Sequence, residues 1–190
     1  MGRYIILVGL VLAINLLPAF GPPTWAVLVF YKLNTNMSTA AIIVFGVVAS
    51  SSGRFLLALA VRSIRHKLKP EYVANLERVQ NVIGRKGKGL FLYFLFFMIS
   101  PLPSAQVFEA AALMNAPLLP ITLVFMIGRG ISYSISVLGA STVKEHAISS
   151  VVLNSIKSPW GIAIQLLCLL GIYGLLKINW SKYLPVKTQS

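Results

Sequence analysis

SPLPSAQVFEAAALMN, residues 100–115, follows directly on the apolar run of residues 89–99 and interrupts it with two prolines. Proline lacks a backbone N–H and clashes with the preceding helical turn, so Pro101 and Pro103 end the helix that the apolar run would form. A second helix is favoured to begin at Ser104, because serine often starts helices. The pattern predicts two short helical arms around a break.

A similar interruption, AFGPPTWAVLVFYKLN, occupies residues 19–34. The apolar arm before it, residues 4–17, makes a helix of only about 21 Å, which is shorter than a hydrocarbon core of about 30 Å. Pro18, Pro22 and Pro23 then break the helix. We expect each interrupted stretch to form a re-entrant hairpin whose broken backbone is satisfied by protein or water, with full crossing as the alternative.

The composition is that of a membrane protein. Of 190 residues, 57% are hydrophobic and 11% are charged, and the mean hydropathy is +0.81, which excludes an ordinary soluble domain. We therefore expect a single all-α integral membrane domain over residues 1–190. The N-terminal apolar stretch is expected to be retained, because no small-x-small cleavage site follows it.

Basic residues far outnumber acidic ones and are concentrated in one connection. Seventeen Lys and Arg against four Asp and Glu give a net charge of +13, much of it at residues 62–88. Such a segment usually faces the cytoplasm, so the partner expected here is an anionic membrane surface. Nucleic acid is not expected, because the basic residues flank apolar runs. The single cysteine, Cys168, excludes an internal disulfide.

Three apolar segments are long enough to span a bilayer, at residues 38–61, 117–139 and 160–178. If both hairpins are re-entrant, the basic connection and the C-terminus both lie inside, as the positive-inside rule favours. We predict repeat 1 at residues 1–61, a basic cytoplasmic connection with an amphipathic helix at 62–89, repeat 2 at 90–143 and a C-terminal transmembrane helix at 159–180. The expected location is the cytoplasmic membrane of a prokaryote.

The two interrupted stretches align as repeats. With Pro22 placed on Pro103 they stay in register over the next twelve residues, and each is followed by a span that carries a Gly-Arg pair. These pairs are Gly53-Arg54 and Gly128-Arg129. Small residues permit close approach, so Gly53 and Gly128 are expected at helix contacts. Hairpins that enter from opposite faces would make inverted repeats, a transporter plan with substrate held at the midplane.

Two proline-broken hairpins, each followed by a span and joined by a basic connection, resemble the DedA superfamily of VTT-domain (SNARE-associated Golgi-type) membrane proteins. The strongest match is the basic segment at residues 83–87, an apolar arm, Pro101-x-Pro103, the alanines at 110–112 and Gly128. The resemblance covers roughly residues 16–138. It implies movement of polyprenyl phosphate or phospholipid across the bilayer, coupled in some members to an ion gradient. The acidic residue that many members carry in the first hairpin has no counterpart here.

Three charged side chains in the apolar stretches are candidates for substrate binding. An unpaired charge in hydrocarbon is costly, so Glu109 is expected either to respond to protons or to pair with Arg54 or Arg129. Guanidinium groups suit phosphate, and we hypothesise that the two arginines hold a lipid phosphate. The helix starts at Thr24 and Ser104 would assist with free N–H groups. Alternatively, each arginine caps carbonyls of a broken helix or reaches toward the interface.

The expected function is a membrane transporter that moves a phosphate-bearing lipid between leaflets, as a flippase or a scramblase. A small-solute or drug exporter is the alternative within transport, and a non-transporting membrane scaffold is the alternative outside it. The sequence carries no nucleophile elbow, phosphate-binding loop or metal motif, so neither an enzyme nor a cofactor or metal site is expected. Coupling to a proton or another cation and a homodimeric state are left open.

Overall fold

The computed structural model describes residues 2–19, 21–74, 104–142 and 159–177, and the regular elements among them are helical. The α-helices are α1 (Gly2–Leu16), α2 (Thr24–Asn34), α3 (Thr39–Ile64), α4 (Ser104–Leu113), α5 (Leu118–Leu138) and α6 (Pro159–Lys177). Short 3-10 segments follow α3 and α5, at Arg65–Lys67 and Gly139–Thr142. The all-α class is confirmed for the described residues.

Several predicted features fall partly or wholly outside these residues. Pro101 and Pro103 lie outside the described residues, and so do residues 75–89 of the basic connection at residues 62–89. Within the described part of that connection, residues 70–74 form a helical turn after the 3-10 segment. The predicted C-terminal helix corresponds to α6. The division into inverted, re-entrant repeats and the three crossings stay predictions.

Two of the described helices are long and apolar enough to cross a membrane. With its 3-10 segment, α3 extends over Thr39–Lys67 at a hydropathy of 1.9, and α5 has a hydropathy of 1.6. At about 1.5 Å per residue, α3 is about 39 Å long and α5 about 32 Å, against a hydrocarbon core of about 30 Å. The helix α1 has 15 residues and falls short of that thickness.

The proline cluster between α1 and α2 breaks the backbone as the sequence predicted. Pro18, Pro22 and Pro23 all lie in the non-helical connection, and Pro23 is extended, with φ of −65° and ψ of 119°, just before α2 begins at Thr24. The two arms are joined across the break, because Asn15 Nδ2 donates to Thr24 Oγ1 at 3.1 Å.

The end of α4 is closed by a left-handed residue. Asn115 has a φ of 58°, a conformation that asparagine tolerates better than most residues. The Ala116 N–H donates to the Ala111 carbonyl at 2.9 Å and the Asn115 N–H to the Ala112 carbonyl at 3.1 Å. This pair of bonds is a Schellman motif, which satisfies carbonyls at the helix end and turns the chain toward α5.

Two arginines of the basic connection hold the same end of α4. Arg65 Nε donates to the Leu113 carbonyl at 2.8 Å, and Arg62 Nη2 donates to the Ala116 carbonyl. A cation at a helix C-terminus also interacts favourably with the helix dipole. The C-terminal ends of α3 and α4 therefore lie side by side, and the two helices pack along each other.

Two apolar cores lie on either side of the middle of α3. The first joins the N-terminal half of α3 to α1, α2 and the C-terminal half of α5 and consists of Leu7, Val11, Leu28, Val29, Met37, Ile42, Ala49, Tyr133, Val137 and Ala140. The second joins the C-terminal half of α3 to α4 and the N-terminal half of α5 and consists of Ala58, Phe108, Ala111, Ala112, Ala116, Leu118, Ile121 and Phe125. Because opposite halves of α3 and α5 meet, these two helices are antiparallel.

The two glycines expected at helix contacts differ. A Cβ on Gly53 would lie 2.8 Å from Asn15 Cβ and 2.9 Å from the Leu12 carbonyl oxygen, so only glycine fits this crossing of α1 and α3. A Cβ on Gly128 would meet no heavy atom of the described residues within 4 Å. The contact expected for Gly128 is therefore not found among them, because this position lies beside the exposed Ile127 on α5.

Replacement of the two glycines is expected to have opposite effects. Gly53→Ala should lower the free energy of unfolding by about 1–2 kcal/mol, because the backbone of α1 must move to admit the methyl group. Gly128→Ala should be neutral or stabilising by up to about 1 kcal/mol, because alanine is the better helix former. Thermal unfolding in detergent, followed by circular dichroism, compares them, and equal destabilisation would contradict the assigned crossing.

Candidate functional site

A group of polar side chains occupies the level between the two apolar cores. We call this group the polar layer, and it consists of Asn15, Thr24, Arg54, Ser104, Gln106, Glu109, Arg129 and Tyr133. Four of the described helices besides α3 contribute to it, and α3 contributes Arg54. All five residues proposed from the sequence as a binding site belong to it.

Arg54 caps the broken end of α1. Its Nη1 donates to the carbonyl oxygens of Asn15 at 3.0 Å and Leu17 at 2.9 Å. The last carbonyls of a helix have no partner within the helix, and a cation there is also favoured by the dipole. The alternative raised from the sequence, that an arginine caps carbonyls of a broken helix, thus describes Arg54 Nη1. The Arg54 Nε has no hydrogen-bond partner in the described part of the chain.

Arg129 is held differently, by one hydroxyl and two aromatic rings. Its Nη2 donates to Ser104 Oγ at 3.3 Å, at the first residue of α4. Its guanidinium carbon lies 4.9 Å from the ring centroid of Phe125 and 5.6 Å from that of Tyr133, both within cation–π range. These contacts orient the guanidinium on the face of α5 that carries the core residues.

The two arginines are close enough for their positive charges to repel each other. Arg54 interacts unfavourably with the positive charge of Arg129 and favourably with the carboxylate of Glu109. With Glu109 counted as a carboxylate, two guanidinium groups against one carboxylate leave this layer with one excess positive charge. A charge enclosed by apolar cores is costly unless it is balanced, so the layer favours an anion.

Glu109 lies on α4 and is only 7% exposed. The structural ion pair with Arg54 or Arg129, considered from the sequence, does not form between the described residues. The attraction to Arg54 acts at longer range, and Glu109 Oε1 has no hydrogen-bond partner among those residues. The carboxylate is therefore buried with an unused acceptor oxygen, within electrostatic range of the Arg54 guanidinium group.

Thr24 and Ser104 begin α2 and α4, and each already uses its side chain within the protein. Thr24 Oγ1 accepts from Asn15 Nδ2, and Ser104 Oγ accepts from Arg129 Nη2. Both helices present their N-terminal ends to the polar layer. The first N–H groups of a helix have no partner within it and bind anions readily. The starts of α2 and α4 therefore provide hydrogen-bond donors in addition to those of the two arginines.

Three members of the polar layer were not anticipated from the sequence. Asn15 is a single polar residue in the apolar arm of α1, Gln106 stands three residues before Glu109 on α4, and Tyr133 stands four residues after Arg129 on α5. Residues three or four apart share a helix face, so the last two could have been found by extending the faces of the charged residues.

Comparisons with protein-family models, with curated proteins and with solved structures found no match to this chain. The resemblance to the DedA superfamily therefore stays a prediction.

The unequal roles of the arginines predict unequal losses of stability. Arg54→Ala should lower the free energy of unfolding by about 2 kcal/mol, because two carbonyls at the break lose a charged donor. Arg129→Ala should cost about 1 kcal/mol or less, because it removes one long hydrogen bond and two ring contacts while relieving repulsion. Thermal unfolding of both variants in detergent provides the comparison, and a larger loss for Arg129→Ala would argue against the capping role.

Proposed function

We propose that this chain is an integral membrane protein that moves a phosphate-bearing lipid between leaflets, as a flippase or a scramblase. The observation that carries the proposal is the convergence of Arg54 and Arg129, with one excess positive charge, in a polar layer between two apolar cores.

The outer face of α5 supports insertion in a membrane. Ile135 is 69% exposed and Leu119 is 63% exposed. Both belong to a stripe spaced by three or four residues along one side of the helix, formed by Leu119, Leu123, Ile127, Ile131, Ile135 and Leu138. A continuous apolar stripe of this length is unfavourable in water and suits lipid chains.

The depth of the two arginines supports a site near the bilayer midplane. Arg129 lies eleven residues after the start of α5 and nine before its end, and Arg54 lies fifteen residues after the start of α3 and ten before its end. Both are therefore about 14–23 Å from the helix ends. Ionisable groups at this depth are costly and are usually part of a substrate path.

The packing supports an inverted repeat. The short arm α4 packs along α3, the span of the other unit, and α2 contacts α5 in the corresponding manner. The two spans are antiparallel, and each supplies one arginine to the same layer. Transporters built this way hold substrate between their halves and alternate access by moving one against the other.

The chemistry of the layer supports phosphate as the bound group. Guanidinium groups bind phosphate oxygens in a bidentate manner, and the helix starts at Thr24 and Ser104 offer further N–H donors. A phosphodiester carries one negative charge, which would neutralise the excess charge of the layer. The basic residues after α3 would then face the cytoplasm and anionic lipids, with the C-terminus on the same side.

The proposal predicts that the charge of Arg129 is needed for lipid movement. Arg129→Gln in liposomes should slow the exchange of a fluorescent phospholipid between leaflets by about tenfold or more, because a charged contact to phosphate is lost. Bleaching of the outer leaflet by dithionite measures the rate. Arg3→Gln is the matched control, since Arg3 is exposed at the start of α1, and it should exchange lipid as the native protein does.

The same liposomes separate the alternative functions. If the protein is a scaffold, liposomes with the protein should exchange lipid between leaflets no faster than liposomes without it. The Glu109→Gln variant should then give the same exchange rate as the native protein. A small-solute exporter would release an encapsulated solute without exchanging lipid. Either result would reject the lipid-transport proposal.

A further inference from the structure

Four side-chain oxygens of the polar layer are buried without a partner among the described residues. The Tyr133 hydroxyl can donate as well as accept, whereas Asn15 Oδ1, Gln106 Oε1 and Glu109 Oε1 can only accept. Asn15 is 0% exposed, Gln106 4% and Glu109 7%. A buried acceptor without a donor is costly, and three such oxygens in one polar layer favour a ligand that supplies donors.

The orientation of the two amides is determined by their neighbours. Asn15 Nδ2 donates to the Val11 carbonyl at 2.8 Å, and Gln106 Nε2 donates to the Pro18 carbonyl at 3.3 Å. A backbone carbonyl can only accept, so the amide nitrogen must face it in each case. The unpartnered atom is therefore the oxygen, and the site is short of donors at these positions.

The residues that carry these three oxygens are linked to Arg54, one of the two arginines of the proposed phosphate site. Arg54 Nη1 donates to the carbonyl oxygens of Asn15 and Leu17. The Gln106 amide donates to the carbonyl oxygen of Pro18, the residue that follows Leu17. Glu109 is on the same face of α4 as Gln106, three residues later, and is attracted by Arg54. The donors of the arginines and the three free acceptors thus belong to one site.

The chemistry of a suitable ligand follows from this inventory. A phosphodiester anion satisfies the guanidinium groups, but it has no donor for the three oxygens. The remaining headgroup must therefore bring hydroxyl or ammonium hydrogens. A phosphodiester alone already neutralises the one excess positive charge of the polar layer. An ammonium group on the ligand would restore that excess charge, so hydroxyl groups are the more suitable donors.

We propose that the polar layer selects a phosphodiester lipid whose headgroup carries hydroxyl groups over an equally charged lipid that lacks them. The inference rests on the proposed lipid-phosphate function and narrows its substrate to phosphodiesters with polyol-like headgroups. Phosphate binds the arginines, and the headgroup hydroxyls donate to Asn15, Gln106 and Glu109.

Two short-chain lipids of equal charge test the proposal on the native full-length chain in maltoside detergent. Phosphatidylglycerol has two headgroup hydroxyls, and phosphatidylmethanol has none. Calorimetric titration should give an affinity at least about five-fold higher for phosphatidylglycerol, the effect of one or more net hydrogen bonds. Equal affinities would overturn the inference and leave the phosphate site standing, whereas binding of neither lipid would reject the phosphate site itself.

A matched pair of variants locates the selectivity. Gln106→Leu removes a buried acceptor at similar size and should bring the ratio of the two affinities toward one. Asn36→Leu removes an exposed amide outside the layer and should preserve the native ratio. If Gln106→Leu kept the native ratio of the two affinities, the proposed contact between Gln106 and the headgroup hydroxyls would be contradicted. If Gln106→Leu fails to fold by circular dichroism, the comparison of the two lipids on the native chain still decides the question.

Discussion

Helices α1 and α4 both end against α3 or the segment that follows it, and every helix end leaves carbonyl groups that need donors. Arginines of α3 and of the 3-10 segment that follows it supply them at both ends. Arg54 binds the carbonyls of Asn15 and Leu17 at the end of α1, while Arg62 and Arg65 bind those at the end of α4. The long helix α3 therefore stabilises two broken helices at two levels, and its apolar sides bury the arms around them.

The same requirement creates the candidate site. A guanidinium group that caps carbonyls gains hydrogen bonds but keeps its charge, since carbonyls are neutral. Arg129 adds a second charge from the antiparallel helix α5, and Glu109 compensates for only one of the two. Capping of α1 and attraction of an anion are thus consequences of one arrangement, and Arg54 contributes to both. Arg129 makes fewer hydrogen bonds to the protein, so its guanidinium group is more available to a ligand.

Local chemistry made some parts of this arrangement predictable. Proline has the same effect on any helix, so the break between α1 and α2 followed from its residues, and the matching Gly-Arg pairs indicated that Arg54 and Arg129 belong together. Gly53 and Gly128 looked equivalent in the sequence, yet only Gly53 meets a neighbouring backbone, because packing depends on which helix crosses at that point. Asn15 was missed for the same reason, since an isolated polar residue in an apolar arm does not reveal what lies opposite it, whereas Gln106 and Tyr133 share helix faces with Glu109 and Arg129.

The sequence by itself determined the all-α class, the positions of the helix breaks described here and, of three predicted spans, the two helices that are long and apolar enough to cross a bilayer. Proline geometry and hydrophobic length act within a few turns of the chain, which is why they could be predicted. Tertiary structure alone decided that Arg54 caps α1 and that Glu109 has no ion pair among the described residues. It also decided which oxygens stay free. Those outcomes depend on contacts between residues up to 88 positions apart, as between Gln106 and Pro18, and no local pattern encodes such distances.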